Sequence, residues 1–184
     1  MTAVPRRVLC LCGSLRRVSS NRAALEAARQ LAGETLELTL YDGVGRLPLF
    51  NPDDDAGPLP PSVLALRAAV GRTDALLIAC PEYAHGVPGA FKNLLDWLVG
   101  SLEFPGKPVL LLNTAARGPY HAQQALAEIL QTMSARLLSA QPLPVALPGA
   151  GCTPTQVLAS VERCAELQVA LDTLIALPDP RGQL

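Results

Sequence analysis

Residues 75–97 read ALLIACPEYAHGVPGAFKNLLDW. The first six are apolar without alternation, which is how a strand reads when both of its faces are buried. A loop with two prolines and two glycines follows. Pro88 suits a first helical position, and Phe91, Leu94, Leu95 and Leu98 then recur at helical spacing. A buried strand that opens through a stiff polar turn into an amphipathic helix is half of a parallel βαβ unit.

The same pattern runs along the chain on both sides. Val8–Cys12 is a short apolar run that ends at Gly13, and the polar loop GSLRRVSSN leads into a helix opened by Asn21. Leu36–Tyr41 alternates as a second strand. The stretch that follows, rich in Pro, Gly and Asp, reads as loop as far as Ser62, which is placed to cap a helix over 63–70. VLLLN at 109–113 is a fourth strand, and His121–Ser134 reads as helix. A fifth, less regular strand lies within 135–147, and Gln156–Leu177 reads as one long terminal helix. The 184 residues fit one domain, with 178–184 a loose tail. Five buried strands alternating with helices predict an α/β three-layer sandwich, a parallel sheet with helices on both faces. In the flavodoxin-like strand order 2-1-3-4-5, ligands bind at the switch between the first and third strands, beyond their carboxyl ends. The two loops richest in polar and small residues follow those two strands.

Composition narrows the function classes. Net charge is −1 and charged residues make up 17% of the chain, below the usual quarter, so no basic surface calls for nucleic acid or an anionic membrane. No run reaches membrane-spanning length, and the five apolar residues after Arg7 are too few for a signal-peptide core. Five cysteines without a C-x-x-C pair read as thiols of a reducing, cytoplasmic compartment. Cys10 and Cys12 share a strand face, roughly 6–7 Å apart.

The first loop places Ser14, Arg16, Arg17, Ser19, Ser20 and Asn21 before a helix N-terminus, where free amides and the helix dipole favour a phosphomonoester. The same residues serve equally as a capped polar loop, with Ser20 or Asn21 as the cap. Neither a P-loop nor G-x-G-x-x-G is present. In the second loop Glu82 and His85 are each capable of general-base work. Each also fits a decorated surface turn, and Tyr83 fits plain packing. Gly86 and Gly89 are placed to let the backbone come close to a ligand.

These two loops resemble the NAD(P)H-dependent FMN reductases, a flavodoxin-like family that includes quinone, azo-dye and chromate reductases. The family pattern G-S-x-R-x-x-S-x-N is matched by Gly13, Ser14, Arg16, Ser19 and Asn21. The pattern P-E-Y-N-x-S-x-P-G-x-L-K-N-x-x-D-W is matched by Pro81, Glu82, Tyr83, Pro88, Gly89, Lys92, Asn93, Asp96 and Trp97. LPLFNPD between them is similar to the family as well, and the resemblance spans about Val8–Leu138. Ala84 stands where Asn is usual and Gly86 where Ser is usual.

The resemblance implies bound FMN, with its phosphate on Ser14, Arg16, Ser19 and Asn21. It implies the ring system along Pro81, Glu82, Tyr83, Ala84, His85 and Gly86, with Ala115, Ala116 and Arg117 closing the other edge. It implies hydride transfer from NADPH or NADH to the flavin and on to a quinone, azo compound, flavin or metal oxyanion. No residue is nominated as acid or base, and no metal is expected. Arg117 is placed to meet a nucleotide phosphate. The helix carrying Lys92, Asn93 and Asp96 is a candidate surface for a homodimer or homotetramer with Trp97 packed there; the alternative is a core tryptophan under a solvated helix face. The alternatives are a flavodoxin-like electron carrier and a flavin-binding module without turnover. The acceptor, the choice of nucleotide and the oligomer size are not readable from these motifs.

Overall fold

The computed structural model describes residues 4–115, 121–149 and 151–178. Six strands form one parallel sheet: β1 Arg6–Cys12, β2 Leu36–Leu40, β3 Ala75–Ala79, β4 Pro108–Asn113, β5 Arg136–Leu137 and β6 Leu143–Pro144. Their order is β2-β1-β3-β4-β5, with β6 also pairing β4, as expected for the flavodoxin-like arrangement. The longer helices are α1 Ser20–Leu31, α3 Pro61–Gly71, α4 Gly89–Val99, α5 His121–Thr132 and α7 Val161–Ile175. The short ones are α2 Pro52–Asp55 and α6 Pro154–Leu158.

Strand alternation builds the three layers. Val8, Cys10 and Cys12 face α1 and α7, whereas Leu9 and Leu11 face α3, α4 and α5. The pattern repeats in β3, where Ala75, Leu77 and Ala79 take the first side and Leu76 and Ile78 the second. Every residue of β3 is buried, which is why its sequence shows no polar alternation.

Four elements differ from the sequence reading, the first being α3, which starts at Pro61 after Pro60 and takes no cap from Ser62. The 42–60 stretch is not all loop: it holds a 3₁₀ turn at Val44–Arg46 and α2, which is capped by the Asn51 side chain accepting from the Asp53 amide at 3.1 Å. The expected terminal helix is two helices. The Ser160 hydroxyl accepts from the Arg163 amide and starts α7, while a Thr153/Gln156 capping box starts α6. The fifth strand is split, with Arg136–Leu137 on Pro108–Val109 and Leu143–Pro144 on Leu112–Asn113.

Trp97 is not on an interface. It is fully buried, donates from Nε1 to the Pro48 carbonyl at 2.8 Å and meets the Phe50 ring edge-on at 5.1 Å. Asn93 ties down the same loop, accepting from the Phe50 amide and donating to Pro48. Lys92 pairs with Asp96 one turn away. Much of the second motif therefore anchors LPLFNPD to α4.

Candidate functional site

A cleft of about 400 Å³ opens beyond the carboxyl ends of β1, β3 and β4. After β1 the chain turns to one face of the sheet through α1, and after β3 to the other through α4, so the cleft lies at the topological switch. Gly13 brings its two walls together. Its amide donates to the Ala79 carbonyl at 2.9 Å, and a Cβ there would lie 2.5 Å from Cys80 Sγ. Gly13 is needed for lack of a side chain against Cys80, not for a left-handed turn, since its φ is not positive.

Polar groups are concentrated here. Six polar side chains are buried among the described residues, and five of them, Ser14, Ser19, Ser20, Asn21 and Gln123, line this cleft. Buried polar groups are costly unless satisfied, so such a cluster has a local reason. Part of that reason is internal. Ser19, and neither Ser20 nor Asn21, caps α1 by accepting from the Arg22 amide at 3.3 Å. Ser14 Oγ accepts from the Arg16 amide. Ser20 Oγ donates to the Gly149 carbonyl and accepts from the Cys152 amide, tying the 149–152 loop to the first loop. Asn21 Oδ1 accepts from Thr114 Oγ at 2.8 Å. Among the described residues the remaining donors are the Ser14 hydroxyl hydrogen, Asn21 Nδ2, the Arg16 guanidinium and the amides at the very start of α1, with the Ser19 hydroxyl shared with Cys12. That set is a phosphate site by its chemistry.

The opposite wall presents an acceptor. Gln123 is 6% exposed, and its Nε2 donates to the Cys80 carbonyl at 3.0 Å, which fixes the amide's orientation. Its Oε1 is buried and has no partner among the described residues. An orphaned acceptor beside a cleft is a place for a ligand donor.

The second loop forms a tight hairpin. Tyr83 and Gly86 exchange both backbone hydrogen bonds, at 3.1 and 2.9 Å, around Ala84 and His85. Those two carry φ values of +50° and +61°, the left-handed region. The strained positions are thus Ala84 and His85, whereas a side chain at Gly86 would meet nothing closer than 3.7 Å and one at Gly89 nothing within 4 Å. The asparagine usual at position 84 tolerates left-handed backbone better than alanine does. Glu82 is engaged structurally: its Oε2 accepts from the Ala122 amide at 3.0 Å, at the free amino end of α5. His85 stacks on His121 at 4.7 Å between centroids, so the chain's two histidines pair outside the cleft. Burial pushes the Cys80 thiol up to about 12, so this wall residue is a neutral thiol.

Of the residues expected from sequence, Ser14, Arg16, Ser19, Asn21, Pro81, Glu82, Tyr83 and Ala115 line the cleft together. Ala84, His85 and Gly86 do not line it; they form the turn beyond its rim. Ala116 and Arg117 lie outside the described residues. Ser20, read in sequence as part of the phosphate loop or as its cap, also lines the cleft, whereas Cys80, Asn113, Thr114, Gln123, Leu147, Gly149 and Gly151 were missed. The rule that ligands sit beyond strand carboxyl ends, applied to the split fifth strand, would have reached the 147–151 loop. Nothing in the sequence distinguishes Gln123 from Gln124 beside it.

Comparison with known proteins agrees with this geometry. The family described as NADPH-dependent FMN reductase matches residues 6–147. An NAD(P)H-dependent FMN reductase of Pseudomonas aeruginosa is 38% identical over 128 residues, 65% of this chain and 69% of that protein. A quinone reductase of Escherichia coli is 33% identical over 130 residues, again 65% and 69% of the two. Among solved structures, a flavoenzyme NAD(P)H:(acceptor) oxidoreductase of Paracoccus denitrificans is similar with a TM-score of 0.73 and 28% identity, covering 92% of this chain and 95% of that one.

Proposed function

Since the chain belongs to the NADPH-dependent FMN reductase family, we propose that it is an FMN-dependent NAD(P)H oxidoreductase whose acceptor is a small molecule of the quinone type. The observation that carries this is the gathering of five buried polar side chains, one with an orphaned acceptor, around a single cleft at the switch point. The cleft volume is in the range of cofactor pockets. Its donors and acceptor fit a phosphomonoester at one end and a hydrogen-bonding heterocycle at the other.

When bound, FMN supplies the redox chemistry, taking up hydride from NAD(P)H and delivering the electrons to the acceptor. The protein positions it. Ser14, Arg16, Ser19 and Asn21 hold the phosphate, assisted by the amino end of α1. Pro81–Tyr83 and Ala115 border the ring, and Gln123 Oε1 accepts from a cofactor donor. Glu82, tied to the Ala122 amide, shapes this wall and carries no proton in the reaction. The α4–α5 groove, lined in part by exposed Val99 and with Leu102, 94% exposed, further along the chain, is the surface we assign to self-association as a homodimer or homotetramer. No helix among the described residues is long and apolar enough to cross a membrane.

The test is to load the purified protein with FMN and add NADPH anaerobically. The expected result is stoichiometric bleaching of a bound yellow chromophore, followed by steady NADPH oxidation once a quinone is added. A protein that retains no FMN, or whose FMN is not reduced, refutes the reading.

A further inference from the structure

A second cleft, of about 480 Å³, lies on the other side of the first loop, between it and the chain that leaves β2. It shares Ser14 and Arg16 with the first cleft, so the two are neighbours across one loop. Four arginines line it: Arg16, Arg17, Arg22 and Arg46. The single acid in its lining is Asp42, and that carboxylate is gripped by Arg22 Nη1 at 2.6 Å while Arg22 Nε holds Glu26 at 2.7 Å. Arg16, Arg17 and Arg46 form no ion pair among the described residues. Arg16 is shared with the flavin cleft and assigned to its phosphate, which leaves Arg17 and Arg46; in a chain of net charge −1, two uncommitted guanidinium groups around one concavity are a local excess that composition hides.

The cavity is also built on one side. Tyr41 packs its hydroxyl end over Gly43, where a Cβ would lie 2.3 Å from Oη, so any other residue there would displace the ring. Burial raises the Tyr41 phenol above its ordinary range, which keeps it a neutral donor and an aromatic face. Arginine forks around an aromatic ring are suited to a phosphate ester that carries a planar base. The forks bind phosphate oxygens in pairs, and both arginine planes and tyrosine faces stack on heterocycles.

We infer that this cleft binds the adenosine 2′-phosphate end of NADPH, with Arg17 and Arg46 selecting NADPH over NADH. The inference rests on the reading of NAD(P)H as reductant. The two nucleotides differ only by that phosphomonoester, and Arg17 and Arg46 supply the charge it needs. In dinucleotide folds an acidic residue after the second strand accepts from the ribose hydroxyls, while an arginine accommodates the 2′-phosphate. Asp42 stands two residues past β2, and Arg22 neutralises it. The carboxylate that would repel a 2′-phosphate is thereby silenced by the fold.

The experiment uses the FMN-loaded protein and the double variant Arg17→Ala/Arg46→Ala. Both side chains are exposed and neither lines the flavin cleft, so flavin content should match wild type. Charge-assisted bonds of this kind carry about 10- to 100-fold each, so kcat/KM for NADPH should fall by at least about tenfold, with a far smaller change for NADH. Calorimetry with 2′,5′-ADP and 5′-AMP should show a wild-type preference for the former that the double variant loses. An equal loss for both nucleotides, or an unchanged NADPH value, overturns the inference. Should the protein hold no FMN or oxidise neither nucleotide, the proposed function falls and calorimetry alone decides this cleft. Arginine-dependent 2′,5′-ADP binding then supports it, and absence of binding overturns it.

Discussion

Replacing Gly13 by alanine tests whether the contact between β1 and β3 sets the shape of the flavin cleft. The new Cβ would sit 2.5 Å from Cys80 Sγ and 3.1 Å from both Cα and Cβ of the same residue. A rotation about the Cys80 side chain can move the sulfur but not the other two atoms, so the strands must part. Overpacking of this kind costs about 1–3 kcal/mol. Stretching the Gly13–Ala79 backbone bond, now 2.9 Å, adds up to about 1 kcal/mol. Cys80→Ala alone removes one buried atom and should cost about 1 kcal/mol. In the double variant the methyl introduced at position 13 takes the space of the lost sulfur, whereas the 3.1 Å contacts persist. The two substitutions should therefore couple favourably by about 1–2 kcal/mol, with part of the Gly13→Ala loss remaining. Urea unfolding of the four proteins reads this directly, since a loss of about 2 kcal/mol moves the midpoint by about 1 M at a slope near 2 kcal/mol/M. FMN affinity, followed by quenching of its fluorescence, should fall in Gly13→Ala and recover in part in the double variant. Simple additivity of the two stability losses would refute the steric reasoning.

Ala84→Asn and Ala84→Gly should each raise Tm by about 2–4 °C, because alanine at φ +50° carries about 1 kcal/mol of strain that these residues avoid; a fall in Tm counts against the hairpin geometry. Glu82→Ala should destabilise by about 1 kcal/mol through loss of the acceptor at the Ala122 amide, while Glu82→Gln keeps most of it and leaves the pH profile of NADPH oxidation unmoved. Stability should decline above pH 9. Burial pushes the Cys10 and Cys80 thiols from 9.0 to about 12, so the unfolded chain releases these protons first, and the stabilisation present below pH 9 is lost progressively toward pH 12. Each thiol should cost about 2 kcal/mol at pH 10.5, and Cys10→Ala should flatten the decline measured by urea midpoints.

The first loop was legible because its chemistry is local. A strand end, a glycine, hydroxyls and a helix start lie within fourteen residues, and their types alone imply an anion site. The second loop was half legible. Pro81, Glu82 and Tyr83 reach the cleft, but Ala84, His85 and Gly86 follow a two-residue hairpin that turns them past its rim. Which residue of such a turn needs positive φ depends on the hydrogen bonds closing it, and here the two that do, Ala84 and His85, carry no sequence mark of it. Trp97 and Asn93 sit inside the motif yet hold a loop more than forty residues earlier, a connection periodicity cannot show.

What the sequence determined by itself was the alternation of buried strands and amphipathic helices, and hence the layers, whereas the strand order and the switch point came with the flavodoxin-like resemblance of the two loops. The layers follow from hydrophobic period, which acts over short stretches of chain. Only the tertiary structure decided that Gln123 presents an unpaired acceptor, that Glu82 is spent on a helix end, and that Arg16, Arg17 and Arg46 surround one cavity while Arg22 silences Asp42. Whether a polar side chain is free or already partnered depends on groups brought close from distant parts of the chain, and a linear pattern carries no distances between them.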